Sequence, residues 1–242
     1  TKDGMVKRTK LIDFKVGRYS KEIGMIKLAQ GDKVINVSYS NNSDVFVATQ
    51  MGYGLWYDIS EVSVVGIRAS GVRSIKLKDD EVVSSYLFDP KDEYLTIITD
   101  KGTAKRMKLE NIEKTSRANR GVQLMKTIKS NPSKIVSSYI VPKDTELVIT
   151  SIAEVKPVKL TEIAIMDKQS NGSFIVKDRV LDTYKKSKLV SDGDSNISNT
   201  SEDKEDTSKK DTGSVNKEYK ALKNIDEKIM TIDEILDEIE DK

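Results

Sequence analysis

Short runs of apolar and β-branched residues alternate with turn residues along most of the chain. Val45-Phe46-Val47-Ala48, Tyr94-Leu95-Thr96-Ile97-Ile98 and Leu147-Val148-Ile149 each lead into a threonine. Runs of this kind, bounded by Gly, Pro, Asn and Asp, read as β-strands. Asn41-Asn42-Ser43, Pro90-Lys91-Asp92 and Pro142-Lys143-Asp144 suit the hairpin turns that would connect them. A longer period overlies the short one. Thr1, Thr49, Thr99 and Thr150 are spaced by 48, 50 and 51 residues, and Gly4, Gly52 and Gly102 follow three residues later, with Ala153 in the fourth place. Leu11, Ile59, Leu109 and Leu160 keep this register, as do Phe14, Val62, Ile112 and Ile163. A second glycine recurs at Gly24, Gly71, Gly121 and Gly172, followed by a strand ending in Ser38-Tyr39, Ser85-Tyr86 or Ser138-Tyr139.

Units of about 50 residues with about four strands each predict an all-β, propeller-like array of blades. One blade cannot bury both of its faces, so the units must stack. The boundaries are 1–48, 49–98 and 99–149 for whole repeats and 150–184 for a partial one, which lacks the Ser-Tyr ending and fades after Val180. Four starts imply an open arc or the loss of upstream blades, and the opening on Thr1 favours the second. Residues 185–215 have the Ser, Asp, Asn and Lys composition of a disordered linker. Within 216–242, Leu222, Ile225, Ile229, Ile232, Leu236 and Ile239 form a helical stripe on an acidic segment. That helix would dock on its own domain or on a partner. Thr231 and Glu234 have capping-box spacing, which allows a break near Met230.

Composition narrows the function. The 242 residues include no Cys and no His, so disulfides, thiolate metal sites and a Cys nucleophile are excluded, and so is the commonest neutral-pH base. No run approaches the ~18 apolar residues of a membrane span, and a soluble, cytoplasmic protein is expected. Residues 1–190 carry 33 Lys+Arg and 23 Asp+Glu, while residues 191–242 carry 8 and 16. A basic body with an acidic tail suggests a nucleic-acid partner, and the tail would compete with DNA for the body. If it does, deleting 191–242 raises DNA affinity at low salt.

The basic residues follow the repeat. Loops before the second glycine hold Arg18 and Lys21, Arg68, and Arg117 and Arg120; Arg73, Lys76 and Lys126 lie just beyond it. The first strand holds Lys7, Arg8 and Lys10 in one unit and Lys105, Arg106 and Lys108 in another, whereas the second unit has Leu55, Trp56 and Asp58 there. Repetition would join these residues into a basic rim for a duplex, with glycines letting backbone amides approach phosphate. Trp56 is expected to pack between strands. Arg18-Tyr19 is not read as a cleavage pair, because it lies in the repeated loop without an Asp-rich Mg²⁺ signature nearby, and no catalytic or metal site is expected.

Gly4-Met5-Val6-Lys7-Arg8-Thr9, Gly102-Thr103-Ala104-Lys105-Arg106, Gly31-Asp32 and Arg117-Ala118-Asn119-Arg120-Gly121-Val122 resemble the blades of a known family over roughly residues 1–182. It is that of the C-terminal domains of the A subunits of bacterial DNA topoisomerase IV (ParC) and gyrase. The resemblance implies a β-pinwheel whose blades exchange strands and whose basic residues contact phosphate, bending DNA without reading its sequence. It implies a non-catalytic domain that guides duplex segments to a cleavage core for relaxation and decatenation. The parent would be an A2B2 assembly with the ATPase subunit (ParE), using ATP and Mg²⁺ through other domains. Gyrase's glycine-rich wrapping box is missing, which favours the topoisomerase IV type. A protein-interaction propeller without DNA binding is the alternative.

Overall fold

The structure is a computed structural model that describes residues 1–15, 20, 22–126, 128 and 130–186. The predicted linker and C-terminal helix, with Arg18 and Lys21, lie outside the described residues. The chain divides into two compact units, Thr1–Lys10 with Ser20–Lys188, and Leu11–Tyr19 with Leu189–Lys242. In the second, Leu11–Phe14 forms a 3₁₀ turn. No described helix is long and apolar enough to cross a membrane.

All thirteen strands among the described residues belong to the first unit. They are β1 (Met5–Val6), β2 (Asp44–Thr49), β3 (Tyr53–Asp58), β4 (Val72–Arg73), β5 (Val82–Phe88), β6 (Tyr94–Thr99) and β7 (Thr103–Lys108), followed by β8 (Val122–Gln123), β9 (Ile135–Tyr139), β10 (Glu146–Ser151), β11 (Val155–Lys159), β12 (Ser173–Phe174) and β13 (Val180–Lys185). The sheets run β1-β4, β5-β2-β3-β8, β12-β7-β6-β9 and β11-β10-β13, and every pairing is antiparallel. The short strand after each second glycine pairs with the preceding repeat: β4 with β1, β8 with β3, and β12 with β7. This is the expected exchange of strands between neighbouring blades.

Stacking explains why the strands that enter Thr49 and Thr99 are buried almost throughout. Val45 and Val47 enter one core with Leu55, Tyr57 and Ile75, while Phe46 and Ala48 face the opposite way into a core shared with Leu95, Ile97 and Met107. Ile98 and Ala104 then face Leu147, Ile149 and Val158 of the last sheet. A strand buried on both faces loses polar alternation. Burial in β10 alternates instead, with Leu147, Ile149 and Ser151 buried and the residues between them half-buried.

That alternation corrects the reading of the fourth repeat. The bulge that follows Ala48 and Ile98 follows Thr150 in β10, so Ser151, not Thr150, occupies the repeat-threonine position. Thr49 and Thr99 accept hydrogen bonds from amides four residues on, whereas Ser151 accepts from Glu154, three residues on. The turn is one residue shorter and does without the left-handed glycine of Gly52 and Gly102 (φ 89° and 77°).

The fourth repeat also keeps its last strand. Thr183 and Tyr184 of β13 stand where Ser85-Tyr86 and Ser138-Tyr139 stand in β5 and β9. Threonine replaces serine, which hides the ending in the sequence. The column is a polar ladder between repeats: Tyr86 donates to the Ser138 carbonyl, and the Tyr139 hydroxyl pairs with Thr183 Oγ1 at 2.6 Å. In the first repeat, by contrast, the strand expected to end at Ser38-Tyr39 does not form, and Val37 and Tyr39 are exposed. Its counterparts, β5 and β9, pair with the strands that enter Thr49 and Thr99.

Candidate nucleic-acid interface

Each joint between repeats is built around the second glycine. Gly71, Gly121 and Gly172 have φ of 87°, 80° and 90°. A Cβ would lie 2.3, 2.1 and 2.5 Å from the carbonyl oxygens of Val6, Gly54 and Ala104 in the preceding repeat. Expected to admit phosphate, these glycines instead admit the neighbouring strand. One parallel bridge beside each close approach completes the joint: Arg8 with Val64, Trp56 with Lys114, and Arg106 with Ile165.

The Lys-Arg pairs sit in these joints. Lys7 Nζ donates to the carbonyls of Met25, Gly66 and Ile67 at 2.6, 3.0 and 2.7 Å. Lys105 Nζ donates to those of Asp167 and Ser170, both at 2.7 Å, and the residue is 1% exposed. Burial pushes the Lys105 ammonium down to about 8, against a smaller opposing pull from Asp167. Arg8 and Arg106 donate through Nε to the carbonyls of Val62 and Ile163, each at 2.8 Å, and the Arg106 guanidinium lies 5.3 Å from the Tyr94 ring centre. A buried ammonium already bonded to carbonyls is not available to phosphate. Lys105 therefore leaves the predicted contact set, and both it and the half-buried Lys7, whose ammonium bonds three carbonyls, position the loops before the second glycine. Arg8 and Arg106 are half-buried and tied by Nε to the next repeat.

The middle joint reverses the direction of these bonds. Leu55 and Trp56 replace Lys-Arg, and the donors come from the third repeat. Lys114 bridges Asp44 at 2.8 Å and Asp58 at 3.0 Å. Arg117 donates to the carbonyls of Glu61 and Arg73, so it too is a joint residue. Trp56 packs 5.4 Å from Phe88 and donates to Asp44 at 2.7 Å, as its expected packing role requires. Burial works against the Asp44 carboxylate, but hydrogen bonds from Lys114, Trp56 and Ser43 outweigh it and hold the group below the usual range. Asp58 is held low by hydrogen bonds from Ser60 and then Lys114. Asn119 Nδ2 supplies the donor to the Ser116 carbonyl, at 3.1 Å.

The remaining predicted cations face solvent. Lys10, Arg68, Arg73, Lys76, Lys108, Arg120 and Lys126 are all exposed. Lys108 pairs with Glu110 at 3.0 Å, and that hydrogen bond raises its ammonium. The Arg120 guanidinium lies 4.1 Å from the Tyr53 ring centre, an attraction that also orients it. Arg68, Arg73, Lys76 and Lys126 have no side-chain hydrogen bond or ion pair with another described residue. Lys76 and Lys126 each lie five residues past the joint glycine, and the same position in the fourth repeat is the exposed Lys177. Loops rich in arginine do not point to Lys177; counting from Gly172 finds it.

The family model described as DNA gyrase C-terminal domain, beta-propeller, matches residues 1–41, 43–86 and 93–142. The chain is 40% identical over 176 residues to the A subunit of DNA topoisomerase 4 from Bacillus subtilis, covering 72% of this chain and 22% of that protein. It is 30% identical over 178 residues to the same protein of Staphylococcus epidermidis, covering 73% of this chain and 22% of that protein. The chain thus spans about a fifth of these relatives. Among solved structures, it resembles the C-terminal domain of DNA topoisomerase IV with a TM-score of 0.73 and 37% identity, over 76% of this chain and 59% of that one. The DNA gyrase A C-terminal domain shares the fold, with a TM-score of 0.65 at 20% identity over 76% of this chain and 63% of that one. Strand exchange at all three joints, in a repeat that also matches by sequence, leads to one conclusion: the chain belongs to the family of propeller-like C-terminal domains found in the A subunits of DNA gyrase and topoisomerase IV.

Proposed function

We propose that this chain is a non-catalytic module that binds and bends duplex DNA and guides it to the cleavage core of a topoisomerase IV-type enzyme. The observation that carries this reading is the division of its cations into two groups. One group, Lys7, Lys105, Lys114 and Arg117, is bonded within the joints. The other group is exposed: Lys76, Lys126 and Lys177 recur at one position in three successive repeats, and Arg68 and Arg73 add to them in the second repeat. Repeated exposed cations on a rigid scaffold would neutralise successive phosphates and release counterions, giving affinity without base readout. Lys10, Lys108 and Arg120 extend the same solvent-facing set. The topoisomerase 4 relatives and the missing wrapping box support relaxation and decatenation as the parent activity. ATP, Mg²⁺ and the ATPase partner (ParE) would then act through other parts of an A2B2 assembly in the cytoplasm.

Binding to a ~40 bp duplex should weaken steeply as salt rises and vary little with sequence. An affinity that stays flat from low to moderate salt would overturn the proposal. So would the absence of duplex binding with retained binding to a protein partner.

A further inference from the structure

The second residue of each exchanged strand occupies one structural position, and the side chain there changes along the array. Arg73 stands opposite Met5, Gln123 opposite Tyr53, and Phe174 opposite Thr103. All three are exposed. Phe174, at 72%, has the highest exposure of any large hydrophobic side chain among the described residues. Its backbone is held firmly: β12 is paired to β7, and Gly172 is seated against Ala104. Basic groups lie close by. Lys177 is exposed three residues further on, and Lys156 Nζ bonds the carbonyl of Ile175, the next residue, at 2.8 Å.

We propose that Phe174 is an apolar wedge for duplex DNA, entering between two base pairs where Lys156 and Lys177 hold the adjoining phosphates. This rests on the DNA-binding reading and deepens it. A phenyl ring on a paired strand, with Lys177 close along the chain and Lys156 bonded to the neighbouring residue, gains little from a phosphate backbone. It gains burial and stacking if a base step opens, and those gains offset the unstacking cost. The step opens most readily at flexible pyrimidine–purine sequences. Arg73, at the same position two repeats earlier, holds phosphate instead. The first joint therefore grips the duplex and the third kinks it, so bending is unevenly distributed along the bound DNA. The two nearby lysines favour a polyanion as the occupant, since a duplex offers a phosphate to each.

The test uses the 242-residue chain, Phe174→Ala, Phe174→Trp and Arg73→Ala. The probe is a ~40 bp duplex with recurring TA steps, 2-aminopurine at those steps and a donor–acceptor dye pair at its ends. The parent chain should raise the 2-aminopurine emission and bring the ends together. Phe174→Ala should lose most of the emission rise and part of the bend, with affinity lower by on the order of fivefold and an unchanged salt dependence. Phe174→Trp should retain the emission rise. Arg73→Ala should keep it too, while its salt slope falls by about one. If Phe174→Ala matches the parent chain in emission and bend while binding stays salt-dependent, the wedge is overturned and the DNA-binding reading stands. Absence of duplex binding by the parent chain overturns both. A Phe174→Ala chain with unchanged DNA behaviour that no longer associates with the rest of a topoisomerase assigns the ring to a protein interface and also overturns the wedge.

Discussion

The outer and middle joints solve one steric problem with opposite polarity. At all three, a glycine backs onto a carbonyl of the preceding repeat, and a two-residue strand crosses over. At the outer joints the preceding repeat also supplies the cations, Lys7 with Arg8 and Lys105 with Arg106, which reach forward into the next repeat's carbonyls. At the middle joint Leu55 and Trp56 supply apolar surface, while Lys114 and Arg117 reach backward. What the fold requires is that the loop's backbone carbonyls and the buried Asp44 find donors. Which repeat provides the donor is free to vary; the close approach at glycine is not.

The largest expected effect tests the shared element. Gly121→Ala places a Cβ against the Gly54 carbonyl at a left-handed backbone position, and should cost about 3 kcal/mol or more in denaturant unfolding. Near-parent stability would show that the close approach does not hold the joint. Next is a contrast between equivalent lysines. Lys105→Met removes a buried donor from the Asp167 and Ser170 carbonyls and should cost about 2–3 kcal/mol, while Lys7→Met, half-exposed, should cost about 1 kcal/mol. Equal losses at the two sites would remove the distinction drawn from burial.

The middle joint should show its polarity in acid. Asp44 and Asp58 titrate below the usual carboxylate range in the folded chain, so the unfolded chain binds more protons as the pH falls. Their stabilisation is complete above the unfolded-state value of about 4 and is lost as the pH drops through the lowered folded values. Lys114→Met should cost about 1–2 kcal/mol at neutral pH through buried Asp44 and flatten this acid dependence. A melting curve against pH that keeps the parent's slope would contradict it. The smallest stability effect belongs to the exposed column. Lys76→Ala, Lys126→Ala and Lys177→Ala should each change stability by under about 0.5 kcal/mol, yet lower the salt slope of DNA binding by about one. A loss of melting temperature without a change in slope would move these lysines into the structural group.

Much of the fold is legible because the repeat is written in residues with narrow structural uses. Glycines mark left-handed turns and close approaches, and Leu109 with Ile112 or Leu160 with Ile163 mark a recurring buried 3₁₀ turn. The fourth repeat escapes a reading by identity because it conserves geometry instead: Ser151 stands for threonine, and Thr183-Tyr184 for Ser-Tyr. Fixed spacing could not show a turn shortened by one residue. The candidate interface is half legible. Sequence places the cations at repeating positions, but Lys105 and Lys126 look alike until burial separates them.

Amino-acid order alone determined the repeat length, the β character, the basic body and the family resemblance, because each depends on patterns local to one unit. Tertiary structure decided which strand crosses to which neighbour, which lysines are consumed by carbonyls, and which side chains stay in water. Those outcomes depend on contacts between residues 60 and 65 positions apart, such as Lys7 with Ile67 and Lys105 with Ser170. A Lys-Arg pair carries the same charge on a rim or in a joint. Only the carbonyls that surround it decide whether that charge is offered to DNA.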